Sequence, residues 1–162
     1  MDTPNTPQNN PEDGGSEPRF AIRGQYVKDL SFENPHAPDS LLPQGKAPEI
    51  QINVDIKVTR LDPHFYESCL YVSVRASGEK STLFLVDLVY AGVFELHNIP
   101  ENRIEQLMLV DAPFILFPFA RRVVADATRD GGFPPLMLEP IDFYGLFSSR
   151  GDKHGESATP RQ

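Results

Sequence analysis

The sequence has little of what would place a protein in an oxidising compartment or in a membrane. It contains one cysteine in 162 residues, which excludes an internal disulfide and fits a reducing compartment. The N-terminus has neither the basic nor the apolar segment of a signal peptide. The longest apolar stretch ends at Arg121 and Arg122, before it reaches the length of a membrane span. We therefore predict a cytoplasmic protein that does not insert into membranes.

Basic residues are in deficit. The chain has 15 Lys and Arg against 23 Asp and Glu, and its formal net charge is −8. Proteins that bind nucleic acids carry the opposite balance, usually as a basic patch. The composition therefore argues against a nucleic-acid partner and favours a basic or zinc-bearing protein partner.

The sequence also lacks motifs for catalysis and for metal binding. Its four histidines form no HxH or HExxH pattern and no pairing with cysteine, so we predict no metal site and no cofactor. His64 and Cys69 are five residues apart on a strand-like segment, so their side chains face opposite sides and cannot form a nucleophile–base pair there. We predict that the protein is not an enzyme and that Cys69 is a core or interface residue.

Composition separates a folded middle from two polar ends. Residues 1–19 contain four prolines and almost nothing apolar, and residues 148–162 are similarly polar. Such segments bury too little apolar surface to offset the entropy lost on ordering. We predict disordered tails at both ends and one folded domain over residues 20–147.

The first half of this domain alternates as β-strands do. Residues 49–59 alternate between apolar and polar side chains without a break, which predicts an antiparallel strand with one solvent-facing side. Gly24 is a candidate bulge, and residues 77–80 are typical of a hairpin turn. The predicted strands are residues 20–30, 49–59, 65–76 and 81–94. Together they predict a four-stranded antiparallel meander.

The strand over residues 81–94 is apolar on both sides, with Asp87 interrupting one of them. One side carries Phe84, Val86, Leu88 and Tyr90, and the other carries Leu83, Leu85, Val89 and Val93. A small sheet buries both faces of a strand only if something covers each of them. This pattern predicts a partner outside the domain.

The second half is helical. Helical spacing starts after Pro100, and Pro113 is expected to break or bend the helix. Residues 114–129 continue as a helix with a kink at Pro118, which cannot donate a backbone hydrogen bond. Strands followed by helices indicate an α+β fold.

The end of the domain has clear stop and start signals. Gly131 and Gly132 are typical of a helix C-terminus, and an extended crossing loop follows them. Asp142 is suited to cap a last short helix that ends at Phe147.

Residues 113–147 hold more apolar and aromatic surface than a small acidic domain needs for its own core. Seven of the sixteen Phe and Tyr residues lie in this segment. Residues 114–120 are apolar all round, whereas a helix that packs on one core is apolar on one stripe. We predict that a second copy of the chain or an apolar ligand covers them.

Three acids remain open to two interpretations. Asp29 and Glu33 flank the end of the first strand, and Asp87 sits alone on an apolar strand face beside Leu85. They are either solvated charges or an acidic docking patch around an apolar anchor.

Several segments resemble the SecB family of bacterial protein-export chaperones. They are FAIRGQYVKDLSFENPHAP at residues 20–38, FLVDLVYAGVF at residues 84–94, and ILFPFARRVV with GGFPPLMLEPIDFYGLF within residues 115–147. They lie in order and cover nearly all of the predicted domain.

The resemblance implies a four-stranded antiparallel sheet with one long kinked helix and one short C-terminal helix packed on it. It implies a homotetramer built as a dimer of dimers. It further implies an ATP-independent chaperone, or holdase, that binds unfolded secretory precursors in an apolar aromatic groove. Such a chaperone keeps them competent for export across the inner membrane and delivers them to the motor ATPase SecA. The alternative is a SecB-like chaperone for other clients, such as an antitoxin.

Matching positions imply roles for individual residues. The residues implied for SecA contact are Asp29, Glu33, Leu85 and Asp87. Those implied for the client groove are Tyr26, Phe32, Ile50, Ile52, Val54, Phe84, Phe143, Leu146 and Phe147. Those implied for the oligomer interface are Val86, Leu88, Tyr90, Ile115 and Phe119. Asp87 stands where Glu is common in the family, which keeps the charge but shortens the reach.

Overall fold

A four-stranded antiparallel sheet forms one layer of the protein. The computed structural model describes residues 17–155. Its strands are β1 (Arg19–Glu33), β2 (Glu49–Arg60), β3 (Phe65–Ser77) and β4 (Thr82–His97). Their order across the sheet is β1-β4-β3-β2. The class and the strand number are as predicted, but the simple meander is wrong.

Strand β1 departs from the meander because it pairs with β4 and not with β2. Strands β2, β3 and β4 follow one another as hairpins, and residues 34–48 carry the chain from β1 to the opposite edge of the sheet. Three hairpin-connected strands plus one returning strand is the Greek-key arrangement. It places β4, the strand that is apolar on both sides, between β1 and β3 in the interior of the sheet.

Three helical segments follow one another without interruption and form one long joined helix. They are α1 (Glu101–Gln106), a π-helical turn (Leu107–Asp111) and α2 (Ala112–Asp130). Pro113 does not break the helix, because it lies in the first turn of α2, directly after the wide π turn. A widened turn accommodates a residue that has no N–H and whose ring crowds the preceding turn. Pro118 lies inside α2, as predicted. No helix within residues 17–155 is long and apolar enough to cross a membrane.

The end of α2 confirms the predicted stop. Gly132 adopts a φ of 92°, a left-handed conformation that glycine tolerates best. The amide of Phe133 reaches back to the carbonyl oxygen of Thr128 at 3.1 Å, which satisfies a carbonyl that the helix leaves free.

The last helix, α3 (Phe143–Gly155), starts as predicted and runs further than predicted. The Oδ1 atom of Asp142 accepts a hydrogen bond from the amide of Gly145 at 2.9 Å, which confirms the cap. Residues 148–155 were predicted to be disordered, yet they continue the helix, and Arg150 forms an ion pair with Asp55 of β2. Composition alone did not reveal this contact. The remaining tail predictions, for residues 1–16 and 156–162, lie outside the described residues.

The core lies between the sheet and the long helix. Tyr90 of β4 stacks on Phe119 of α2, with 6.3 Å between ring centroids. A Cβ on Gly92 would lie 2.9 Å from Leu116, so α2 sits directly on the strand. The sheet side with even-numbered β3 and β4 residues therefore faces the helices, and we call the opposite side the open face.

Two β-bulges interrupt β1. The register with β4 shifts between Ile22 and Gly24 and again between Val27 and Asp29. The first shift confirms the bulge predicted at Gly24. The second was not predicted, because nothing in the local sequence marks it.

Candidate binding surfaces

The structure brings the four predicted SecA-contact residues together on the open face. Glu33 pairs with Leu85 across β1 and β4, and Asp29 pairs with Val89. Asp87 lies between these two pairs, opposite Ser31. Residues that pair directly across strands share a face, so the three carboxylates lie on one face with Leu85 at one end of the row. We call Asp29, Glu33 and Asp87 the acidic patch.

The acidic patch differs from Glu67 and Glu95 on the open face in its ion pairing. Among the side chains that the structure describes, in residues 17–151, none forms an ion pair with its three members. Glu67 instead pairs with Lys28 at 2.8 Å, and Glu95 pairs with both Arg23 and His97. One end of the open face therefore carries three carboxylates outside any described ion pair, flanked on β3 by Arg75, which donates to Oγ1 of Thr82 at 3.3 Å.

A polar cluster lies beside the patch, where side chains of β1 reach over β4 to β3. Tyr26 and Lys28 both donate to the carboxylate of Glu67. The hydrogen bond from Lys28 has the larger effect and that from Tyr26 the next, and together they hold the pKa of Glu67 below its ordinary value. Burial, and then the hydrogen bond to Glu67, raises the pKa of Tyr26 to about 12. Glu67 is therefore the ionised acceptor that organises this cluster.

Cys69 sits at the inner edge of the same cluster. It is only 3% exposed, and its Sγ atom lies 3.9 Å from Nζ of Lys28. Burial is the main cause that raises the pKa of its thiol to about 11. A thiol that stays protonated at neutral pH is a poor nucleophile. Its burial agrees with the prediction that Cys69 is a core or interface residue.

The residues predicted for the client groove do not form one surface within the chain. Phe32 stacks on Phe84 with 5.9 Å between centroids, at the end of the sheet. Phe143 packs on Phe117 of α2 at 6.1 Å. Tyr26 lies on the open face, opposite Ala91, whereas the other predicted strand residues face the helices. The prediction that Tyr26 joins them is not met within one protomer.

Exposure further divides the predicted groove. Phe84 and Phe143 are buried, with 4% and 3% exposed. Ile52 on the edge strand β2 and Leu146 on α3 are exposed, and Ile50, Val54 and Phe147 are half-buried. The exposed aliphatic members of the predicted groove therefore belong to β2 and α3, whereas Phe84 and Phe143 belong to the core.

A second apolar surface lies on the outer side of α2 and was only partly predicted. A cavity of about 670 Å³ opens between α2 and the crossing loop. Phe114 at its rim is 71% exposed, as expected for a helix that is apolar all round. The loop residues Met137 and Ile141 complete the lining. Sequence patterns do not show that this loop folds back along α2.

The oligomer interface predicted on β4 needs correction. Val86, Leu88 and Tyr90 are buried under the chain's own α2, so they are not available to a second copy. The apolar helix-facing side of β4 therefore needs no outside partner. The two interface residues predicted on α2 remain at the surface, Ile115 half-buried and Phe119 44% exposed.

Comparisons with known proteins agree on one family. Residues 13–154 match the family model described as SecB, preprotein translocase subunit SecB. The protein-export protein SecB of Bartonella quintana is 48% identical over 136 residues, which cover 84% of this chain and 86% of that protein. The counterpart of Maricaulis maris is 45% identical over 157 residues, covering 97% and 90%.

A solved structure shows the same fold in a distant relative. It is a SecB-like chaperone of Mycobacterium tuberculosis in complex with a peptide from the HigA1 antitoxin. The TM-score is 0.64 at 20% identity, and the match covers 76% of this chain and 91% of that one. At this identity the likeness concerns the fold alone.

Proposed function

The chain belongs to the SecB family of protein-export chaperones, and we propose that it is an ATP-independent cytoplasmic holdase that delivers unfolded precursors to SecA. The observation that carries the proposal is the family match over residues 13–154, together with relatives named protein-export proteins. Those relatives are chaperones, in line with the prediction that the chain is not an enzyme.

The apolar surface of β2 and α3 supports a role in holding clients. Exposed Ile52 and Leu146 offer contacts that any apolar side chain can make, with little sequence preference. Covering about 100 Å² of such surface contributes about 2.5 kcal/mol. Ordering an unfolded segment costs about 2–5 kcal/mol, so one such contact does not hold a client.

Assembly into a tetramer, a dimer of dimers, supplies the missing affinity. Several weak sites on one particle act at high effective concentration and can hold a long unfolded chain without nucleotide. The exposed apolar side chains of α2, Phe114 on its outer side and Phe119 where the helix meets Tyr90 of the sheet, support a second copy as their cover.

The acidic patch around Leu85 supports docking of SecA. A basic surface would meet three carboxylates that form no described ion pair, with the apolar side chain of Leu85 beside them. Charge complementarity of this kind steers association and selects the partner. Client holding and motor docking then use opposite sides of the sheet.

A chaperone for another client set, such as an antitoxin, is the alternative. The complex of the Mycobacterium tuberculosis SecB-like chaperone with an antitoxin peptide motivates it. The acidic patch favours the export role, because an antitoxin chaperone has no need for a motor-docking site.

The direct test is whether the purified chain suppresses aggregation of an unfolded secretory precursor without ATP. We expect Ile52→Asp to weaken suppression, because a charge on the accessible edge of β2 disfavours apolar contact. The matched control is Leu61→Asp, which changes another exposed aliphatic side chain, in the turn after β2. No suppression by the native chain, or equal loss in both variants, would contradict the proposal.

A further inference from the structure

The two bulges of β1 each turn a cation toward the open face. A bulge adds one residue to a strand and breaks the strict alternation of sides. At the first bulge Arg23 reaches Glu95, and at the second Lys28 reaches Glu67. Both acceptors lie on the open face, on β4 and β3. The bulges therefore place these cations on the face that carries the acidic patch.

Lys28 lies between two sets of carboxylates. It precedes Asp29 in the chain, and the second bulge lets the side chains of both residues point toward the open face. The pairs Val27–Tyr90 and Asp29–Val89 bracket Lys28, which places it two to three residues along the strands from Asp87. That is roughly 7–10 Å, a span that the side chains of a lysine and an aspartate can bridge together.

Glu67 holds Lys28 on the side away from the patch. It lies opposite Val93, six residues along β4 from Asp87, which is roughly 20 Å. Its carboxylate also accepts a hydrogen bond from Tyr26, so two donors converge on one acceptor that is partly shielded from water. Such a charge-assisted pair is stronger than the pairing of Lys28 with a fully solvated aspartate.

We propose that Glu67 is a positioning residue that retains Lys28 and thereby keeps Lys28 off the acidic patch, which stays available to a basic protein partner. The patch carries three carboxylates without a described ion pair, and Arg75, which flanks it on β3, donates to Oγ1 of Thr82 at 3.3 Å. If Lys28 turned toward Asp29 and Asp87, it would remove one of three negative charges and occupy the surface that the partner needs. The proposal rests on the proposed role of the patch in docking SecA.

Zero-length carbodiimide cross-linking, mapped by mass spectrometry, tests the position of Lys28 without any partner. In the native chain we expect a link between Lys28 and Glu67. In Glu67→Gln, whose amide cannot be activated, we expect a new link between Lys28 and Asp87. Glu95→Gln is the matched control, since it removes the other paired glutamate of the open face and leaves Lys28 in place. Absence of the new link in Glu67→Gln would overturn the proposal.

Binding of purified SecA tests the consequence. At about 0.15 M salt the charge of Glu67 itself is screened from the patch, because the Debye length is about 8 Å. We expect Glu67→Gln to weaken binding about two- to fivefold, the range of an exposed ion pair. Adding Lys28→Met should restore it, because no lysine is left to occupy the patch.

The outcomes separate the two proposals. If the double variant binds as weakly as Glu67→Gln, Glu67 acts on the partner or the fold directly, and its role toward Lys28 is wrong. If Asp87→Lys leaves SecA binding unchanged, the docking role of the patch is wrong. In that case the cross-linking result still tests the position of Lys28, because it does not depend on SecA.

Discussion

The ring of Phe32 in β1 packs directly against the backbone of Gly131, one residue beyond the end of α2. A Cβ at position 131 would overlap the ring, so only glycine fits there. The ring cannot move aside easily, because it also contacts Phe84 and Phe133, with centroids 5.9 and 6.5 Å away. This contact ties the edge strand that carries two of the three acidic-patch residues to the end of the long helix.

We expect Gly131→Ala to destabilise the protein by about 1–3 kcal/mol, the usual cost of overpacking a closed site. Gly24→Ala is the matched control, since nothing lies within 4 Å of a Cβ at that position. Urea denaturation of both variants checks the prediction. Similar midpoints for the two variants would show that Phe32 moves freely.

Thr128 connects the long helix to the crossing loop. Its side chain is fully buried, its hydroxyl donates to the carbonyl oxygens of Val124 and Ala125 at 3.0 Å, and it accepts the amide of Leu136 at 2.9 Å. In Thr128→Val the amide of Leu136 loses its partner, at a cost of about 1–3 kcal/mol. Hydrogen exchange at Leu136 should accelerate, whereas Thr59→Val on an exposed position should leave it unchanged.

Alkaline pH should destabilise the protein through Cys69. Burial raises the pKa of its thiol from 9.0 to about 11 in the folded state. As the pH rises, the unfolded chain therefore loses this proton before the folded chain does. The contribution of the thiol to the free energy of unfolding is complete below about pH 9 and is lost as the pH rises toward 11. Unfolding free energy measured from pH 8 to 11 should fall less steeply in Cys69→Ala. An identical slope would contradict the pKa shift.

Light scattering tests the proposed tetramer. The native chain should have four times the monomer mass of 18.1 kDa. Phe114→Arg should lower the mass, because it places a charge on the apolar side chain most exposed on α2. Leu42→Arg changes another exposed apolar residue, 60% exposed in the connection between β1 and β2, and should leave the mass unchanged. A native monomer at micromolar concentration would contradict the assembly.

Asp87→Lys tests the separation of docking from holding. Reversing the central charge of the acidic patch should abolish SecA binding while suppression of aggregation persists, because clients are proposed to use the helix side of the sheet. Glu105→Lys makes the same charge change on α1 and serves as control. Loss of both activities, or of neither, would remove the assignment of the patch.

Local patterns were sufficient where one residue or one short period decides the structure. The alternation of residues 49–59 predicted strand β2 and its buried side, because a side chain every second residue must face the core. Gly132 predicted the end of α2, because a left-handed residue there is best supplied by glycine. Asp142 predicted the start of α3, because its carboxylate satisfies a free amide of the first turn.

The same approach failed where distant segments compete for one surface. Both sides of β4 are apolar, and no local signal shows that α2 covers the side with Val86 and Leu88. The continuation of α3 beyond Phe147 was missed, since its ion pair between Arg150 and Asp55 joins residues 95 positions apart. The second bulge of β1 is likewise set by its pairing with β4.

The sequence by itself therefore determined the α+β class, the family and most element boundaries, because these depend on periodicity, caps and motifs that are local along the chain. Only the tertiary structure decided the strand order, the cover of β4 and the position of Lys28 beside the acidic patch. Each of these depends on which of several remote surfaces or charges forms the contact. That choice is set by the difference in packing energy between the alternatives, and the residues that are adjacent in the sequence do not determine it.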